Sequence, residues 1–166
     1  MADDATMTIK AVMLPDEIQT TLKDLTFSYT PANADDRWYY NLTLVKHNVS
    51  ADLISGTYLS ISTGTLLSQD ATSVSTNDRI KFLFIKNTGT TDGSTSTDES
   101  IMLVQDGSAV AHSSTNALEI SAGESWFAKM PNTTVGDLHA ITADPDQTEG
   151  GGSVQCIVIA IIDDVA

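Results

Sequence analysis

Two stretches of this chain are apolar on both sides of a strand, and no other feature restricts the fold as tightly. In the run from Ser153 to Asp163, the two-residue strand period sets Val154, Cys156, Val158, Ala160 and Ile162 on one face and Ile157, Ile159 and Ile161 on the other. From Ile80 to Ile85, Ile80, Phe82 and Phe84 alternate with Lys81, Leu83 and Ile85, so only Lys81 interrupts the apolar character. Strands of this kind must be covered twice. A sandwich core covers one face, and a subunit interface is the simplest cover for the other, with Val154, Cys156, Ile157, Val158, Ile159 and Ile161 as its candidate residues.

Turn chemistry separates further short alternating runs. Asn87-Thr88-Gly89 opens a Thr-, Ser-, Asp- and Gly-rich loop that runs to Asp98; Glu99–Gln105 follows as a strand and stops at Asp106-Gly107. The sequence predicts that this strand forms a hairpin with Ile80–Ile85. A second strand pair is expected from Ala117 to Pro131, hinged at Ala122-Gly123 and ended by the proline. Leu53–Thr63, Leu138–Ala143 and a short run near Leu66-Leu67 read as further strands, and Asp144–Gly152 reads as a mobile hairpin tip. In Arg37–Lys46 the alternation puts Trp38, Tyr40, Leu42 and Leu44 on one face, which as the more apolar one is expected to meet the core.

Thr6–Leu14 is expected to be a first strand or an extended arm able to pair with a neighbour. Pro15-Asp16-Glu17 resembles a helix start, with Ile18, Leu22 and Leu25 along one helical face; if no helix forms, Thr20–Tyr29 is an edge strand. The expectation is an all-β, sandwich or jelly-roll-like domain over residues 1–166, with about nine or ten strands. At most one short helix is allowed, near the N-terminus, and residues 1–14 are a possible arm.

The balance of 22 acidic against 8 basic residues gives a net charge of −14. That surface repels phosphate backbones and anionic lipid, so neither nucleic acid nor a membrane is an expected partner. No apolar run is long enough to span a bilayer, and Met1-Ala2-Asp3-Asp4 lacks the basic and apolar parts of a signal peptide; a soluble protein made in a cytoplasm is expected. Cys156, the single cysteine, sits among aliphatic residues and reads as a buried side chain rather than a reactive thiol.

Little catalytic chemistry is legible. His47, His112 and His139 lie far apart and lack zinc-ligand spacing, and no Gly-x-Ser-x-Gly elbow or phosphate-cradling glycine loop is present. A hydrolase would need a cleft joining one of these histidines to an acid and a nucleophile. The loops Asp92–Glu99 and Asp144–Glu149 lack the regular acidic ladder of a calcium site, and Glu124 is expected to face solvent at a turn. No cofactor is expected, and the chain reads as a non-enzyme. Trp38, Tyr39, Tyr40 and Trp126 are candidate aromatic contacts: read structurally they are core and rim, and read functionally they are a platform for a sugar or a protein.

The segments FLFIKNTGTTDGSTSTDESIMLVQDG and ALEISAGESWFAKMPNTTVGDLHAITA, followed by an apolar strand ending in AIIDD, resemble small virion structural proteins of tailed bacteriophages, the marine and cyanobacterial ones in particular. The resemblance spans Asp78 to Asp164. It implies a non-enzymatic capsid decoration (cement) protein on the outer surface of the head. Such a protein is assembled in the host cytoplasm, forms a homotrimer and has the major capsid protein as its partner. A neck, tail or head-fibre component, or a carbohydrate- or receptor-binding module, are the alternative expectations.

Overall fold

Alternation of apolar and polar residues produces strands almost throughout the computed structural model, which describes residues 5–13, 20–29, 35–47, 50–60, 68–105, 117–142 and 152–165. Two units separate, Met1–Ala34 and Asp35–Ala166. In the first, β1 (Ala5–Met13) and β2 (Thr20–Tyr29) form an antiparallel pair, with Met7 opposite Phe27, Ile9 opposite Leu25 and an irregularity between Ile9 and Ala11. The helical spacing of Ile18, Leu22 and Leu25 therefore does not decide the structure of Thr20–Tyr29. A segment holding Thr20, Thr21, Thr26, Phe27 and Tyr29 has strong strand preference, and pairing with β1 satisfies its backbone. Pro15-Asp16-Glu17 lies outside the described residues.

The second unit is an all-β, sandwich-like body. Its strands are β3 (Asp36–Val45), β4 (Ala51–Asp52), β5 (Thr57–Ser60), β6 (Ser68–Ser73), β7 (Arg79–Asn87), β8 (Ile101–Gln105), β9 (Leu118–Ile120), β10 (Ser125–Thr134), β11 (Leu138–Thr142) and β12 (Val154–Asp163). One four-stranded sheet runs β10-β7-β12-β3 and a second runs β4-β11-β8-β9; β5 and β6 form a separate pair. All pairings are antiparallel. The core lies between the two large sheets: Leu83, Ile85, Val158 and Ile162 from the first meet Ile101, Leu103, Ile120 and Leu138 from the second.

Both expected local hairpins are absent. β7 and β8 belong to different sheets, and so do β9 and β10. The loop after β7 and the Ala122-Gly123 turn thus carry the chain across the sandwich, and β7 pairs instead with β10 and β12. Each of these strands has a large apolar inner face. Placing sequence neighbours in opposite sheets lets those faces meet across the core, where an isolated hairpin would leave them on one layer. Nor does Pro131 end its strand. β10 continues to Thr134, and the proline falls in the irregular stretch between Lys129 and Thr133, where the missing N–H removes no ladder bond.

The crossing after β7 is anchored by Asn87, which is fully buried. Its Nδ2 donates to the carbonyls of Glu99 (2.9 Å) and Ile120 (3.1 Å), and its Oδ1 accepts from Gly89 N–H (2.9 Å). One side chain on the first sheet thereby satisfies carbonyls leading into β8 and ending β9 of the second. The loop itself is closed by its own polar groups. Asp92 Oδ1 accepts from the Ser94 and Thr95 amides (2.9 and 2.7 Å), while Thr88 and Thr90 fasten the loop to Gln155 at the start of β12. Those backbone bonds from Thr95 and Ser94 hold the exposed Asp92 carboxyl well below the usual carboxylate range. Asp144–Gly152, the expected hairpin tip, is outside the described residues apart from Gly152.

A second polar anchor closes the other end of the body. The buried Asp78 carboxylate accepts from the Tyr58 hydroxyl and Ser75 N–H through one oxygen and from Val165 N–H through the other. Burial first, and then the bond to Asp78, pushes the Tyr58 phenol far above its ordinary range, so it stays a donor. Replacing Asn87 with alanine strands two carbonyls and one N–H, and at about 1–3 kcal/mol for each buried unsatisfied group the expected loss is at least about 3 kcal/mol. Urea unfolding followed by tryptophan fluorescence checks this: a change within about 0.5 kcal/mol, the range of an ordinary surface substitution, would show that the amide is dispensable.

Candidate functional site

The outer face of the β10-β7-β12-β3 sheet is the most distinctive surface of the body. Register places Leu42, Ile157, Lys86 and Ser125 in one row across the sheet. Tyr40, Ile159, Phe84 and Phe127 make the next, followed by Trp38, Ile161, Phe82 and Lys129. Every residue in these rows points away from the core. Phe82 and Ile161 are buried, while Trp38, Phe84, Phe127, Ile157 and Ile159 are half-buried. Tyr40, Leu42 and Leu44 expose 40%, 48% and 47% of their surface, so the apolar character continues to the edge strand β3. A run of this size on one face is what an isolated soluble body avoids.

This face revises the parity expected of β3. Tyr39 is fully buried and, with Val45, belongs to the core; its hydroxyl donates to the carbonyl of Ser55 at 2.9 Å. Trp38, Tyr40, Leu42 and Leu44 take the outward positions. The reason is the pairing with β12, which sets Tyr39 beside Ala160 and Tyr40 beside Ile159. Once the small residues Cys156 and Ala160 of β12 turn inward, their partners on β3 turn inward as well. A one-residue shift exchanges the faces, and here tertiary packing chose the face with the more polar sequence.

The candidate interface residues divide in the same way. Val154, Cys156 and Val158 are completely buried in the sandwich core, which corrects their reading as interface residues. Ile157 and Ile159 lie on the outer face and remain accessible; Ile161 shares that face but is buried. Among the aromatic candidates, Trp126 packs partly buried against the core and Tyr39 lies within it. Trp38 and Tyr40 are left on the outer face.

The structure also joins residues that the sequence holds apart. His139 Nε2 lies 3.0 Å from Asp52 Oδ1, and its Nδ1 lies 3.3 Å from Ser50 Oγ. Sequence reading named His139 but had no spacing signal for Ser50 and Asp52, because the contact depends on β4 pairing with β11. Asp52 and His139 are direct cross-strand partners in that ladder, so an ordinary side-chain contact between neighbours at the sheet edge accounts for their approach. Beside Asp52 is a cleft of about 150 Å³ lined by Thr43–Lys46, Ala51–Leu53 and Ala140. This is below the roughly 300 Å³ at which small-molecule sites begin. The contact is read as structural. Accordingly, Ser50→Ala is expected to leave the hydrolysis of p-nitrophenyl acetate by the purified protein unchanged; a loss of most of that rate would instead make Ser50 a nucleophile.

Glu124 is exposed and its Oε2 accepts from Ser121 N–H at 3.0 Å, as expected of a turn residue. Among the described residues no group of three or more His, Cys, Asp or Glu side chains is placed to hold a metal. Asp144–Glu149 and His112 lie outside those residues.

The Cys156 thiol is pushed up to about 12 from an ordinary 9.0, with burial the larger cause and a backbone hydrogen bond from Lys86 acting weakly the other way. Its folded form therefore keeps the proton longer than the unfolded chain does. The stability this contributes is complete below about pH 9 and is lost as pH rises toward 12. A thiol-reactive chromophore at pH 8 should leave Cys156 unlabelled in the native protein and label it in urea; rapid native labelling would contradict its burial.

No family model matches this chain, and neither the curated proteins nor the solved structures contain a match.

Proposed function

We propose that this chain is a non-enzymatic virion structural protein of a tailed phage, a capsid decoration protein that binds the outer surface of the head as a homotrimer. The observation that carries the assembly part is the apolar outer face of the β10-β7-β12-β3 sheet, ending in exposed Tyr40, Leu42 and Leu44. Such a face favours a macromolecular partner, because covering it removes apolar area from water. The virion part rests on the resemblance of the segment from Asp78 to Asp164 to small phage structural proteins. An acidic exterior suits the outside of a particle that carries DNA within, since it repels nucleic acid released nearby.

A neck, tail or head-fibre position uses the same surface and differs only in its partner. The carbohydrate-binding reading is supported by exposed Tyr40 beside Trp38, but Tyr39 and Trp126 turn toward the core and leave a platform of two rings.

Immunogold microscopy of particles of the phage whose genome encodes the chain tests the proposal. Label spread over the head is the expected result. Label confined to the tail would transfer the protein to the alternative position, and unlabelled particles that also lack its peptides by mass spectrometry would overturn a virion role.

A further inference from the structure

We propose that the outer edge of β3 is an interaction surface and that it pairs, antiparallel, with β3 of a second copy of this chain across a two-fold axis, joining two β10-β7-β12-β3 sheets into one. The inference goes beyond the reading above. It names a main-chain contact whose symmetry depends on neither the virion role nor the homotrimer.

The contrast between β3 and the other sheet edges carries the inference. An edge strand presents a row of N–H and C=O groups to any strand that meets it, and soluble proteins blunt such edges with short strands, prolines, bulges or lysines. Three of the four edges of the two large sheets are blunted in these ways. β4 is two residues long and β9 three. β10 carries Lys129 and Pro131, with a register shift between Lys129 and Thr133. β3 has none of these devices. Its ladder with β12 runs through ten consecutive partners without an irregularity, and between Arg37 and Lys46 it holds neither a charge nor a proline. Leu53 and Ser55 are met through the side chains of Thr43 and Tyr39, without a strand ladder. Exposure divides the same way: Phe82 and Ile161 in the middle of the outer face are buried. Tyr40, Leu42 and Leu44 on β3 are three of the four large hydrophobics exposed among the described residues.

The strand's own sequence identifies the occupant. Laid antiparallel on a second copy with Asn41 on the two-fold axis, β3 sets Tyr40 opposite Leu42 and Trp38 opposite Leu44, each twice. Asp36 then falls opposite Lys46, again twice. Aromatic–aliphatic pairs and opposite charges are combinations that stabilise an antiparallel ladder. Partners in this alignment share parity, so the outer faces of the two sheets stay continuous. A shift of two residues in either direction sets Asp36 against Leu44 or Lys46 against Trp38, and the charge pair is lost. Charge therefore selects one register among those that parity allows. A contact of this kind is isologous and closes at two copies, or at six where a three-fold contact exists as well.

The test begins with the mass of the full chain by light scattering over a dilution series, where two or six chains are expected. Register is then read by mixing Tyr40→Cys and Leu42→Cys chains in denaturant, refolding them together and oxidising with copper phenanthroline. The two variants should join to each other in preference to themselves, with the buried Cys156 taking no part. Leu42→Lys, at an exposed position, should raise the dissociation constant at least about tenfold with an unchanged circular dichroism spectrum. A single-chain mass at every concentration would overturn the inference. A mass of three chains would overturn it too, while keeping the homotrimer. An even-numbered oligomer that is indifferent to Leu42→Lys and shows no preferred Tyr40→Cys to Leu42→Cys link would place the contact elsewhere and equally overturn it. Each of these results leaves the virion reading intact, whereas unlabelled phage particles would remove that reading without touching this one.

Discussion

The sandwich depends on a problem that Asn87 solves. A chain that crosses from one sheet to the other must carry backbone polar groups through or past an apolar interior, where each unpaired group is costly. Asn87 occupies the last position of β7 with no solvent exposure, and its amide supplies both donors and its acceptor to backbone on either side of the crossing. Its own main chain bonds to Gly123 and Glu124, at the turn where the chain crosses back between β9 and β10. Two crossings are thus pinned at one residue. Gly123 takes φ of 80° there, a conformation that glycine adopts without strain.

With that corner fixed, β7 lies between β10 and β12, and the inner and outer faces of the first sheet follow. A bulge at Lys81 changes the alternation within β7: Ile80 pairs with Ile162 and Phe82 with Ile161, so the lysine leaves the ladder and reaches Asp163 at 2.8 Å. The one charge within the apolar run Ile80–Ile85 is thereby paired rather than buried. At the far end, Arg37 pairs with Asp164 at 2.8 Å and stands over the ring of Tyr58, whose hydroxyl is held by Asp78. Arg37 and Lys81 are thus both used internally, against consecutive carboxylates at the end of β12.

The doubly apolar pattern of β12 was legible as a demand for two covers, and one of them is the core that Val154, Cys156 and Val158 enter. What the pattern could not assign was which side faced inward. Ile157 and Ile159 are no less hydrophobic than Val158; the face bearing the smaller Cys156 and Ala160 is the one that enters the core, and β3 follows it through their shared register. The Ser50–His139–Asp52 contact was illegible for a related reason, since residues separated by most of the chain meet only after β4 and β11 pair.

The all-β class, the positions of most strands, the burial of Cys156 and the solvent-facing role of Glu124 were written in the residues alone, because these follow from local alternation, turn residues and side-chain size. Tertiary structure decided the sheet to which each strand belongs, the inward face of β3, the continuation of β10 through Pro131 and the strand rather than helix at Thr20–Tyr29. Those outcomes depend on long-range pairing, in which the free energy of joining two apolar faces exceeds the local preference of either segment alone. A short alternating run carries its period with it, but which of its two faces becomes the inside is settled by the strand it meets.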